Sequence, residues 1–123
     1  MSETKKILHV EDNFDNRLLV RRLLMASGFE VIEAENATQA MDLLRSTRPD
    51  LILMDINMPD IDGYTLTQEL KSLPALKGVP IIAITANVMK GDRERTLQAG
   101  CDGYIEKPID VDRFIDQIIG YLQ

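Results

Sequence analysis

The chain has 123 residues, enough for one domain, and its 45% hydrophobic and 28% charged content fits a globular rather than a disordered protein. Lys and Arg number 14 against 20 Asp and Glu, and the net charge of −6 argues against sequence-independent nucleic-acid binding, which needs a basic footprint. Cys101 is the only cysteine, so a disulfide framework within the chain is excluded and a cysteine metal site is disfavoured.

Short apolar runs alternate with longer segments of helical period. KILHV, Lys6 to Val10, reads as a first strand. A helix is expected over 15–27, with Leu19, Leu23 and Leu24 at helical spacing and Gly28 as its stop. FEVIEA, 29–34, reads as the second strand. Asn36 and Gln39 have the spacing of a capping box, opening a helix with Ala37, Ala40, Met41 and Leu44 on one face. LILM, Leu51 to Met54, is the third strand. A loop with Pro59 and Gly63 leads to a helix over 64–73 that aligns Leu66, Leu70 and Leu73. PIIAIT, 80–85, is the fourth strand, and a polar helix from about 90 to 99 ends at Gly100. GYIEKP, 103–108, holds a short fifth strand. Asp110 then caps a last helix bearing Ile115, Ile118, Ile119 and Leu122 on one face. Five β–α units with near-continuous apolar strands imply a single α/β domain over 1–123, a parallel sheet covered on both faces. The opening MSETKKILHVED lacks the apolar core of a signal peptide, and no apolar run approaches membrane-spanning length, which points to the cytoplasm.

The third strand ends on Asp55, although an unpaired carboxylate is costly to bury. In open parallel sheets, ligands bind at the carboxyl ends of the strands. Glu11 and Asp12 follow strand one, Thr85 ends strand four and Lys107 lies just past strand five, so four strands deliver five functional side chains to one rim. Clustered carboxylates call for a divalent cation, and an all-oxygen site with room for water suits Mg²⁺ or Mn²⁺. A carboxylate is also a nucleophile for phosphoryl transfer, with a cation and a hydroxyl to hold the transferred group.

With these residues in view, the chain resembles the response-regulator receiver domains of two-component signalling from end to end. VEDN resembles the family's acidic pair, LMDINMPDIDG its phosphoacceptor segment, AITA its hydroxyl position and YIEKP its lysine motif. The resemblance implies a flavodoxin-like doubly wound (βα)5 fold of strand order 2-1-3-4-5, an order for which a receiver is one of the known examples. It implies that Asp55 is the phosphoacceptor, and that Glu11, Asp12, Asp55 and the backbone carbonyl of Asn57 hold Mg²⁺. It further implies that Thr85 and Lys107 grip the phosphoryl group, that Lys107–Pro108 is a cis peptide, and that Thr85 and Tyr104 form the switch. The implied protein is a signalling switch that catalyses only its own phosphorylation and dephosphorylation. Its partners would be a histidine kinase or histidine phosphotransfer protein and a downstream protein that the sequence does not name, without nucleic acid or membrane. His9 stands where the family more usually has an apolar residue. Neither Asn57 nor Asn87 is a charged base, so intermediate to slow self-dephosphorylation is expected.

Other readings compete less well. A haloacid-dehalogenase-type phosphohydrolase wants a second Asp two residues after the nucleophile, where Asn57 stands. DINMPD puts Pro59 and Asp60 where an EF-hand loop needs a ligand and a glycine. A flavin-binding relative needs a Ser/Thr-rich phosphate loop after strand one, where the acidic EDN stands. His9 reads as a structural or edge histidine and Cys101 as a small buried residue. Asp60 and Asp62 read as solvated helix-capping acids. Arg17, Arg21 and Arg22 read as a solvated helix face or a docking patch.

Overall fold

The structure, a computed structural model, describes residues 4–56, 58, 63–86 and 92–122. Strands β1 (Lys6–Val10), β2 (Glu30–Ala34), β3 (Leu51–Asp55), β4 (Ile81–Thr85) and β5 (Gly103–Glu106) form one parallel sheet of order β2-β1-β3-β4-β5. Between them run α1 (Phe14–Ala26), α2 (Ala37–Leu44), α3 (Gly63–Lys71) and α4 (Asp92–Gln98), and α5 (Phe114–Leu122) follows β5. The flavodoxin-like architecture expected from the sequence is the one found.

The central strands explain the topology. Leu51, Ile52, Leu53 and Met54 of β3 are all fully buried. Leu51 and Leu53 pack with Val20 and Leu24 of α1 and Phe114 and Ile118 of α5. Ile52 and Met54 pack with Ala40 of α2 and Leu66 and Leu70 of α3 on the other face. Alternation of side chains along a strand makes both faces apolar, and each such burial is worth roughly 1.5–3 kcal/mol, so helices must cover both.

Local signals close the helices. Asn13 Oδ1 accepts from the Asn16 N–H at 2.9 Å and caps α1, whose end turns at Gly28 with a φ of 88°. Asn36 Oδ1 accepts from the Gln39 N–H at 2.8 Å, while Gln39 Oε1 reaches back to the Glu35 N–H at 2.8 Å. The capping box is therefore real, with its return bond one residue before the cap.

Several expectations are corrected. The buried stripe of α1 is Arg17, Val20 and Leu24, whereas Leu19 is exposed, because the helix turns its 17/20/24 face to the sheet. In α5, Phe114 and Ile118 are buried and Ile119 is exposed. Asp110 makes the expected capping bonds, its side chain accepting from the Asp112 N–H at 3.0 Å and its carbonyl from the Phe114 N–H at 2.9 Å, at the turn that leads into α5. Helix α3 stops at Lys71 and a 3₁₀ turn, Pro74–Leu76, follows it, as proline at the first position of a short helix permits. His9 is 1% exposed in β1, a strand flanked by β2 and β3, so it is structural and not at an edge. Cys101 is buried as expected. Asn57, Asp60, Asp62, Asn87 and the expected start of the fourth helix near residue 90 lie outside the described residues.

Candidate functional site

The carboxyl rim of the sheet gathers the acids. Asp55 is the last residue of β3 and 3% exposed, and Glu11, one residue past β1, is 1% exposed. Asp12 is exposed beside them. One carboxylate oxygen from each of Glu11, Asp12 and Asp55 lies within 4.8 Å of the other two. Lys107 Nζ stands 3.1 Å from Asp55 Oδ1 and 3.8 Å from Glu11 Oε1. Among the described residues, three carboxyl groups thus meet one ammonium, two of them buried.

Backbone bonds aim these side chains. The Glu11 N–H donates to the Ala34 carbonyl at 2.9 Å, and its own carbonyl accepts from Arg17 Nη1 at 2.9 Å. The Ile56 N–H donates to the Ile84 carbonyl at 3.1 Å, extending the ladder past Asp55. The Lys107 N–H donates to the Thr85 carbonyl at 2.8 Å, and the Lys107–Pro108 peptide is cis, as the resemblance implied. Thr85 is fully buried. Gly63 opens α3 where a Cβ would stand 3.0 Å from Ile56 Cα and 3.1 Å from the Asp55 carbonyl oxygen, so a side chain there would crowd the end of β3 by a few tenths of an ångström.

Burial raises the Glu11 carboxyl well above the usual carboxylate range, and hydrogen bonding and charge from Asp55 push it the same way against the pull of Lys107. In an octahedral Mg²⁺ shell with oxygens at about 2.1 Å, two ligands lie at most about 4.2 Å apart. The three carboxylates can therefore share such an ion after small movements, or with one acting through water. The donor set is all oxygen and acidic, which fits a hard divalent cation. Asn57 lies outside the described residues, so the carbonyl expected from it is not among these donors.

Sequence reasoning missed Arg17. Instead of a solvated face, its side chain is 8% exposed, holds the Glu11 carbonyl and pairs with Glu35 Oε1 at 3.0 Å. Arg21 likewise pairs with Glu33, at 2.6 Å, across to β2. The available signal was the 17/20/24 spacing, which puts Arg17 on the same stripe as Val20 and Leu24.

Tyr104 is half-buried, and it is in register with Ala83, which makes Thr85, two residues on, its diagonal neighbour on the same face. The Tyr104 carbonyl also accepts from the Tyr121 hydroxyl at 3.3 Å, tying β5 to α5.

The comparisons agree with this arrangement. Residues 7–119 match the response regulator receiver domain family. The polar-differentiation response regulator DivK of Brucella anthropi is 51% identical over 118 residues, 96% of each chain. The receiver domain of a sensor histidine kinase from Pseudomonas aeruginosa PAO1, solved with a magnesium ion in its active-site cleft, is 36% identical, with a TM-score of 0.87 over 98% of each chain. The chemotaxis protein CheY4 of Vibrio cholerae, 24% identical, shares the fold with a TM-score of 0.90 over 96% of this chain and 98% of its own. No described helix is long and apolar enough to cross a membrane. A buried aspartate at the carboxyl rim, its acidic neighbours and the family match over residues 7–119 have one common reading: the chain belongs to the receiver domains of two-component response regulators.

Proposed function

We propose that residues 1–123 are one receiver domain in which Asp55 accepts a phosphoryl group from a histidine kinase or histidine phosphotransfer protein. The observation that carries this reading is the contact of Lys107 Nζ with Asp55 Oδ1 at 3.1 Å, inside a cluster that also holds Glu11 and Asp12. An Asp55 carboxylate oxygen attacks phosphorus as the phosphorus–nitrogen bond to the donor histidine breaks, and the departing imidazole keeps the bonding pair and takes a proton. Lys107 moves its charge onto the transferred group, and the Thr85 hydroxyl hydrogen-bonds one of its oxygens. Glu11 and Asp12, with Asp55, hold Mg²⁺ or, alternatively, Mn²⁺. Bound there, the ion supplies the positive charge that draws the anionic donor to an acidic site.

The protein is then a cytoplasmic signalling switch that catalyses only its own phosphorylation and dephosphorylation, and a downstream protein reads the Tyr104 face. Acetyl phosphate with Mg²⁺ tests the assignment. Acid-labile phosphate is expected on the wild type and none on Asp55→Asn. Undiminished incorporation into Asp55→Asn would remove Asp55 from this role.

A further inference from the structure

A groove of about 250 Å³ runs between α3 and α4. Tyr64, Thr65 and Gln68 line it from α3, and Arg95, Gln98 and Ala99 line it from α4 and its end. Spacings of three and four residues put each set on one side of its helix. Ala99 is small and buried, whereas Thr65, Gln68, Arg95 and Gln98 are exposed. The Arg95 guanidinium carbon stands 4.5 Å from the centre of the Tyr64 ring. Stacking on an aromatic face fixes the guanidinium plane and leaves its N–H edge turned to water. Arg95 makes no ion pair among the described residues. The groove therefore offers one positive charge and two side-chain amides, and no described acid lines it, in a chain whose net charge is −6. Its volume lies below the roughly 300–1,000 Å³ of small-molecule sites, so it has room for a side chain rather than a whole ligand. A groove between two neighbouring helices takes the side-chain ridge of a third.

We propose that the α3–α4 groove docks an acidic helix of a partner protein, with Arg95 clamping one of its carboxylates through two parallel N–H···O bonds. The Gln68 and Gln98 amides flank that carboxylate. The stack on Tyr64 holds the guanidinium ready, so less side-chain freedom is lost when the acid arrives. This surface does not use Tyr104, and the inference does not depend on the phosphoacceptor role of Asp55.

The probe is a blocked, alanine-based helical peptide with glutamate at every fourth position. It is titrated into the whole chain and followed by ¹H–¹⁵N NMR, with the arginine Nε–H signals included. Chain and peptide are both anionic, so no general attraction brings them together. Saturable shifts are expected at Tyr64, Thr65, Gln68, Arg95 and Gln98, with a dissociation constant on the order of 1 mM or tighter. The same peptide with glutamine in place of glutamate should give none. Arg95 is exposed, so its substitutions should leave the fold intact. Arg95→Lys keeps the charge without the two-pronged geometry and should weaken binding roughly three- to tenfold, and Arg95→Gln should abolish it. Arg22→Gln, at an exposed position of α1 on the other face of the sheet, should bind like the wild type. Undiminished binding by Arg95→Gln, or equal binding of the glutamine peptide, would overturn the site. An equal loss in Arg22→Gln would overturn it in favour of unspecific charge attraction. Saturation of the same signals by sodium acetate at equal carboxylate concentration would overturn the helix as occupant in favour of a small carboxylate.

Discussion

The Arg17 guanidinium donates from Nη1 to the backbone carbonyl of Glu11 at 2.9 Å, and from Nη2 to Glu35 at 3.0 Å. One side chain of α1 therefore holds the acidic corner of the site from behind. Glu35 is half-exposed, so that ion pair contributes little. The buried bond to the Glu11 carbonyl matters more, because removing its donor leaves an acceptor in a dry place. Arg17→Ala should lower stability by about 2 kcal/mol and weaken Mg²⁺ binding by letting Glu11 wander. Urea unfolding and Mg²⁺ titration measure both effects. A loss below about 0.5 kcal/mol, within the range of ordinary surface substitutions, would show that the sheet alone positions Glu11.

In the proposed site, Glu11 would link metal binding to pH. Its folded-state pKa is raised by burial and by Asp55, so its protonated form suits the metal-free fold. The stability it contributes is full below the ordinary carboxylate pKa and is lost as pH rises through the folded value. Mg²⁺ needs the ionised form, so binding expels the proton and affinity should climb with pH, by at most about tenfold per unit from this one group. Calorimetric titrations across neutral pH in two buffers of different ionisation enthalpy would report the proton release. Glu11→Gln should flatten the slope, and an equal slope in that variant would assign the proton to another group.

His9 has the opposite linkage. Burial lowers its pKa to about 4, helped by the charges of Lys107 and Arg17 and opposed by Asp55. The stability present above about 6.5, the ordinary histidine value, is lost as pH falls through the folded value, up to about 3 kcal/mol. His9→Phe should therefore show a flatter decline of stability between pH 6.5 and 4 in urea unfolding. Parallel curves for the two proteins would show that His9 is not what destabilises the fold in acid.

Thr85 and Tyr104 form the fourth relationship to test. In the proposed switch, a phosphoryl oxygen on Asp55 would draw the Thr85 hydroxyl, and only a contact that differs between the two states can shift a conformational equilibrium. Tyr104, the diagonal neighbour of Thr85, should respond by turning inward and altering the face between α4 and α5. Thr85→Ala should still be phosphorylated while the Tyr104 aromatic signals stop responding to beryllofluoride. Equal Tyr104 shifts in wild type and Thr85→Ala would route the coupling elsewhere.

Much of this protein was legible in its residue order. Strand and helix differ in period, two against 3.6, and that difference is written locally in LILM, IIAI and the caps at Asn36 and Gly28. The motifs around Glu11, Asp55, Thr85 and Lys107 likewise lie within short stretches and pointed to one rim. What α1 buries was another matter: counting leucines selected Leu19 and passed over Arg17. The choice depends on what stands just past β1 and β2 beside the helix, the Glu11 carbonyl and Glu35, two acceptors that the Arg17 guanidinium reaches at once. The same holds for His9, whose interior position follows from β1 lying between β2 and β3. Lys107 comes 52 residues after Asp55 along the chain, yet 3.1 Å separates their charged atoms. That distance is set by the parallel registers of β3 with β4 and β4 with β5, long-range pairings that no local pattern encodes.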